Sequence, residues 1–273
     1  MSRKKKILKI AAFITAMVLI VGVAVFANAF VGNPVSKLLA KRAAEKYIDE
    51  NLPDSDYFIH GMFFDWKSSG CYRVFLTSPS QIDGGFDLLV NMAGVIVYDT
   101  YEGYVIDGGN TERRLGKEYH DLCDTVFNSP TYPFDELAYG SLGFTDVQYG
   151  SVYDIPDFGI AKEDLIPNQT YDIRELGARS GYLTVYVEDD DVSYERAAEV
   201  LLKLKEMFDQ SGVPFRALCL TLWHPRPEDG LRPEDMVYLN MFLYDDIYED
   251  GLAERVKTAH EEFAEIIEKQ NAK

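Results

Sequence analysis

YLTVYVEDDDVSYERAAEVLLKLKEMFDQSGVPFRALCLTLW, residues Tyr182 to Trp223, holds two hydrophobic periods in succession. Leu183, Val185 and Val187 alternate with Tyr182, Thr184 and Tyr186, the period-two pattern of a strand with one face buried. Ala197, Val200, Leu201, Leu204, Met207 and Phe208 then recur at helical spacing behind Ser193, a residue suited to cap a helix N-terminus. Ser211-Gly212 and Pro214 stop the helix, and Phe215 to Trp223 returns to the strand pattern. Met236 to Tyr244 reads as a further strand. Leu252, Val256, Ala259, Phe263 and Ile267 mark a last amphipathic helix. The order β-α-β-β-α over 181–273 is most of a split β-α-β, so a ferredoxin-like-related α+β domain is expected.

Working back from there, residues 129–180 lose periodicity. Pro130, Pro133, Pro156 and Pro167 are scattered among aromatics (Tyr132, Phe134, Tyr139, Phe144, Tyr149, Tyr153, Phe158). A solvated linker has no use for those rings, so this connector is expected to pack on the domains. Before it, residues 31–128 read as a helix from Asn33-Pro34, an antiparallel meander and a second helix near Thr111 to Phe127. The meander's strands are Tyr57–Trp66, Cys71–Thr77, Phe86–Met92 and Val95–Thr100, with Ser68-Ser69-Gly70 as one turn and Ala93-Gly94 as a two-residue hairpin.

The chain opens with Arg3, Lys4, Lys5, Lys6 and Lys9 in a basic tail, 1–9. Ile10 to Phe30 follows, 21 residues without a charge. At about 1.5 Å per residue that run matches a bilayer's hydrocarbon core, and the basic tail should stay cytoplasmic. The segment is read as a transmembrane signal anchor with everything after it outside the cell. Ala27-Asn28-Ala29 has the small-x-small form of a signal-peptidase site, so a cleaved, secreted protein is the alternative.

The net charge is −18; without the five basic residues of the tail, 22 basic residues face 45 acidic ones, or −23. Such a field repels nucleic acid. Cys71, Cys123 and Cys219 are an odd number with no Cys-x-x-Cys pair, and Cys123 falls on the apolar side of its helix, as a buried free thiol.

Gly32-Asn33-Pro34-Val35-Ser36 after the anchor, Ala43-Ala44-Glu45-Lys46-Tyr47-Ile48, and Tyr98-Asp99-Thr100-Tyr101 form one set of signatures. Tyr171-Asp172-Ile173-Arg174-Glu175-Leu176-Gly177 to Gly181 and Gly212-Val213-Pro214-Phe215 form another. With them the chain resembles the YfjL-like family of uncharacterised membrane-anchored bacterial proteins. The resemblance implies an N-terminal and a C-terminal α+β domain behind one membrane segment. It supplies no active-site residues.

Motifs for chemistry are sparse. His60, His120, His224 and His260 stand at no metal-ligand spacing, and no nucleophile elbow, P-loop or dinucleotide fingerprint occurs. Glu188-Asp189-Asp190-Asp191 precedes a helix N-terminus, which favours negative charge, and lacks the spacing of a calcium loop. Asp245-Asp246, Glu249 and Asp250 form a second acidic cluster. No catalytic, cofactor-binding or metal-binding residue is assigned.

What stands out is a sheet face. Alternation places Leu218, Leu220, Leu222, Val237, Leu239, Met241 and Leu243 with Leu183, Val185 and Val187 under the helices. The other face then carries Tyr182, Tyr186, Trp223, Tyr238, Phe242 and Tyr244, aromatics with polar tips suited to a protein or peptide partner. The alternative is that the aromatic connector covers it. The expected function is a membrane-anchored extracytoplasmic binding or scaffolding protein of the cell envelope. An extracytoplasmic hydrolase with an interdomain site, or a secreted modulator, is the alternative.

Overall fold

In a computed structural model of the chain, residues 3–67, 70–134, 136–145, 159–226, 230 and 235–271 are described. Two units divide between Asn110 and Thr111.

The N-terminal unit begins with α1 (Arg3–Val31). Its longest unbroken run of described side chains is Ala12–Val23. Among the described residues no helix is long and apolar enough to cross a membrane. The side chains of Ala27-Asn28-Ala29 and the Ser68-Ser69 turn lie outside the described residues. α2 (Pro34–Asn51) follows α1 with two residues between them, Asn33 as its cap and Pro34 in its first turn, where a missing N–H is harmless. Ala40 and Ala44 are fully buried against the sheet, and their small side chains set the close approach.

That sheet is β1 (Phe58–Asp65), β2 (Cys71–Thr77), β3 (Phe86–Val90) and β4 (Ile96–Asp99), an antiparallel meander in chain order. Tyr72, Val74, Leu76, Phe86, Leu88 and Val90 form its buried face, as alternation requires. The β3–β4 connection is longer than the two-residue turn expected. Asn91 Oδ1 accepts from Ala93 N (2.9 Å) and Val95 N (3.0 Å), so Met92 leaves the strand.

The next helix, α3 (Gly109–Phe127), departs from the expectation that it completes the N-terminal domain. Leu115, Tyr119, Cys123 and Val126 are buried in the core of the C-terminal unit. Its apolar stripe was legible; which sheet the stripe faces was not.

In the C-terminal unit, β5 (Ala138–Leu142), β8 (Gly181–Glu188), β9 (Ala217–Trp223) and β10 (Met236–Leu243) form one sheet in the order β10-β9-β8-β5. Two short strands, β6 (Phe144–Thr145) and β7 (Ile160–Ala161), pair separately. α4 (Ile173–Ser180) leads into β8, and α5 (Tyr194–Ser211) crosses from β8 to β9. α6 (Leu252–Asn271) closes the chain. β8 and β9 are parallel and directly hydrogen-bonded from Tyr182↔Ala217 to Glu188↔Trp223. No strand lies between them, so the unit is an unsplit β-α-β, which corrects the ferredoxin-like expectation. The mixed α+β class stands.

The connector supplies β5, an edge strand antiparallel to β8. Tyr132 and Phe134 pack against the C-terminal core, with Tyr132 edge-on to Phe127 at 5.4 Å. Tyr149, Tyr153, Pro156 and Phe158 lie outside the described residues.

One tyrosine organises this core. Tyr119 is fully buried, and its hydroxyl donates to Pro214 O at 2.9 Å. Its ring touches the space where a Cβ would stand on Gly177 or Gly181, and a Cβ on Gly140 would strike Cys123. Burial drives the Tyr119 phenol far above its ordinary range and pushes the Cys123 thiol up to about 12. Gly177, Gly181 and the Pro214 carbonyl thus wall one side chain's pocket.

Candidate functional site

β-sheet geometry brings together only part of the expected aromatic face. Tyr182, Thr184 and Tyr186 of β8 share a face with Cys219, Thr221 and Trp223 of β9, opposite the helices. The Tyr186 and Trp223 rings stand 5.5 Å apart. β5 extends the face with Tyr139 and Ser141, opposite Thr184 and Tyr182. Tyr182 is half-buried, and burial is the main cause that raises its phenol pKa. Sequence reasoning missed Tyr139 because AYGSL, with Gly140 at its centre, reads as loop.

Phe242 turns the other way. Leu239 pairs with Leu220 and Phe242 with Leu218, so Asn240 and Met241 together oppose Cys219. That extra residue is a β-bulge, which reverses the phase of every side chain after it. Phe242 is consequently buried in the core, 7 % exposed. Leu243, expected under the helices, pairs with Ala217 on the aromatic face. Met241 takes a positive φ of 53° to make the turn, and its N–H points at Cys219 Sγ, 3.3 Å away.

Tyr244 and Tyr238 also leave the face. Tyr244 packs edge-on against Phe215 at 5.1 Å, donates to Asp209 Oδ1 at 2.9 Å and lies under Lys205 Nζ at 4.0 Å. These partners sit on the helix side. Tyr238 starts on the Thr221 side, but its ring reaches Phe263 of α6 at 4.7 Å. Tyr238 N donates to His260 Nδ1 at 3.2 Å, so α6 guards the outer edge of β10 there.

The acidic clusters hold cations of the protein's own. Arg255 donates to the carbonyl oxygens of Asp246 (3.1 Å), Tyr248 (2.5 Å) and Asp250 (2.5 Å), with the Tyr248 ring 3.5 Å away. Lys205 Nζ adds bonds to Tyr244 O and Ile247 O. In the Glu188–Asp191 run, Asp189 accepts from Asp191 N at 3.0 Å and from Arg196 Nε at 2.8 Å, which holds its carboxyl below the ordinary range. Among the described residues no group of three metal-ligating side chains is assembled.

Other carboxylates shift the same way. Asp56 is lowered chiefly by the Ser78 hydroxyl, Glu206 by Lys203 and Asp235 by His224. A general acid working at neutral pH needs the opposite shift. The cleft between Pro133, Phe134, Val187, Arg196, Val200 and Lys203 is about 450 Å³, and its Arg196 is already shared between Asp189 and Glu199.

No curated protein matches the chain. A DUF5037 family protein from Ruminococcus gnavus, of solved structure, is 14 % identical over 81 % of this chain and 98 % of that one, with a TM-score of 0.24; a likeness of that size carries no argument. The family models are more decisive. Residues 4–100 match the YfjL-like N-terminal domain and residues 126–257 the YfjL-like C-terminal domain. With both domains matched in order over most of its length, the chain belongs to the YfjL-like family.

Proposed function

We propose that this protein is an envelope component held by α1 as a single membrane anchor, with both units outside the membrane and no catalytic role, binding or scaffolding a protein or peptide partner. The observation that carries the anchor is the surface of α1. Ile10 to Phe30 contains no charge, and Ile10, Phe13, Ile14, Met17, Val18, Leu19, Ile20, Val21, Val23 and Phe26 are all exposed on it. A helix whose described side chains from Ile10 onward are uncharged and exposed is stable only in a medium as apolar as itself. Five basic residues precede it, which favours a cytoplasmic N-terminus.

Binding is supported by the Tyr139, Tyr182, Tyr186 and Trp223 surface, whose partly exposed rings offer rigid aromatic area.

The test is fractionation of the full chain, tagged at its C-terminus, from a bacterial host, with the intact mass measured. Full-length mass in the membrane supports the anchor. A mass beginning at Phe30 in the medium would replace it with a secreted protein cut after Ala29. For the face, Trp223 is isolated by Trp66→Phe and its fluorescence titrated with acrylamide. Ready quenching supports an open surface; resistance to quenching would mean the face is covered.

A further inference from the structure

The junction between α1 and α2 has no slack. Gly32, with a φ of 71°, and Asn33 are the only residues between the two helices. Tyr72 fixes that junction to the sheet. Asn33 N donates to Tyr72 Oη at 3.0 Å, Tyr72 Oη donates to Asn33 O at 3.0 Å, and Ser36 Oγ lies 3.1 Å from the same oxygen. A Cβ on Gly32 would collide with Tyr72 and touch the Phe64 ring.

If Ile10 to Phe30 fills the hydrocarbon core, Asn33 comes about 4–5 Å later along the chain. The headgroup region on each side of a bilayer is about 5–8 Å deep. Tyr72 and Phe64, packed 5.1 Å apart, are then at the membrane surface too. Trp66 follows Phe64 by two residues, within about 7 Å.

The side chains gathered there suit that position. Val35 is 68 % exposed, Leu38 48 % and Trp66 49 %. Lys67 Nζ stands 5.5 Å from the Trp66 ring centre. From Val31 to Ala44 the charges are Lys37, Lys41 and Arg42, with no acid. In a region whose balance is −23 by sequence, this is a local reversal of sign. The buried stripe of α2 is Ser36, Ala40 and Ala44. Val35, Leu38 and Arg42 fall on a different stripe, at i, i+3 and i+7.

We propose that this end of the N-terminal unit is a lipid-contact surface, with Val35, Leu38 and Trp66 entering the headgroup boundary of an anionic bilayer and Lys37, Arg42 and Lys67 meeting its phosphates. The inference rests on α1 being the anchor. Tryptophan prefers the interface, where its ring is in apolar surroundings and its N–H in polar ones. Lys and Arg are drawn to anionic lipid headgroups. The acidic remainder opposes approach from solution, but a tethered patch is already at high effective concentration and needs no approach. The contact would hold the N-terminal unit upright on the membrane.

The experiment uses the full chain carrying Trp223→Phe, so that Trp66 is the sole tryptophan. It is assembled in nanodiscs of mixed phosphatidylcholine and phosphatidylglycerol, with bromine carried high on the acyl chains. The expected result is a blue shift and loss of Trp66 emission. The loss should be smaller in Lys37→Glu/Arg42→Glu or in phosphatidylcholine alone. In the reciprocal Trp66→Phe chain, Trp223 should keep its emission. Chain that travels with the discs while Trp66 stays bright overturns the contact and leaves the anchor standing. Equal quenching of Trp66 and Trp223 overturns the patch as a specific surface. Chain that fails to enter the discs overturns the anchor, and the contact with it.

Discussion

Each unit is organised around one buried tyrosine, and the two are used differently. Tyr119 is a packing hub: its ring is walled by Gly177 and Gly181, and its hydroxyl makes a bond to Pro214 O. Tyr72 is a hydrogen-bonding hub: its hydroxyl engages both the N–H and the carbonyl of Asn33 and approaches Ser36 Oγ. One holds helices to a sheet through volume, the other holds a helix cap through directional bonds. The signature residues of the family lie around both. Gly32, Asn33 and Ser36 leave room for or bond to Tyr72, and Gly177, Gly181 and Pro214 do the same for Tyr119.

The contrast can be broken by mutation, with Trp66 and Trp223 as fluorescent reporters, one in each unit. Tyr119→Ala should have the largest effect, lowering the C-terminal unit's stability by about 3–5 kcal/mol, because it leaves a large cavity where relaxation is blocked on several sides. Chemical denaturation followed through Trp223 checks it. Gly177→Ala or Gly181→Ala should cost about 1–3 kcal/mol by overpacking the same ring. If either is neutral, the volume account of this hub is wrong.

Removing only the hydroxyls tests the other half. Tyr72→Phe should cost about 1–3 kcal/mol, since it leaves the Asn33 N–H without its partner. Tyr119→Phe should cost about 1 kcal/mol, the worth of one ordinary hydrogen bond. The reverse order would erase the distinction between the hubs. Cys123, beneath Tyr119 with its thiol pushed up to about 12 by burial, should resist iodoacetamide at neutral pH until the C-terminal unit unfolds. Mass spectrometry of the alkylated protein at rising denaturant follows this directly.

The smallest expected effect is at Asp189. Its carboxyl is held low first by Asp191 N–H and then by Arg196, so its contribution is complete above the unfolded carboxylate pKa of about 3.9. That contribution is lost as the pH falls through the lower folded value. Asp189→Asn should lower Tm slightly at pH 7, and the gap from wild type should close in acid. A gap that persists unchanged below both values would mean the bond, not the charge, matters.

Legibility in the sequence followed the range of each interaction. β2 begins and ends where Cys71 to Thr77 predicted, and Ser193 and Gly212 bound α5 as cap and left-handed stop. Those signals are local. The parallel neighbourhood of β8 and β9 is not, because alternation states which face a residue takes and never which strand lies beside it. The bulge at Asn240-Met241 carries no glycine or proline to announce it, and it alone sent Phe242 to the core. α3 was found but assigned to the wrong sheet, since Leu115 and Tyr119 would satisfy any apolar surface. Of the candidate face, Tyr182, Tyr186 and Trp223 could be read, while Tyr139 needed the strand that Gly140 concealed.

The bonds at the start of α2 have a consequence for processing. Ser36, Lys37 and Tyr72, which bond to Asn33, all lie downstream of it. A protease that severs the chain at Ala29 would remove no member of that group. The fold is sealed just inside the scissile region, so shedding would change the protein's address without loosening its structure.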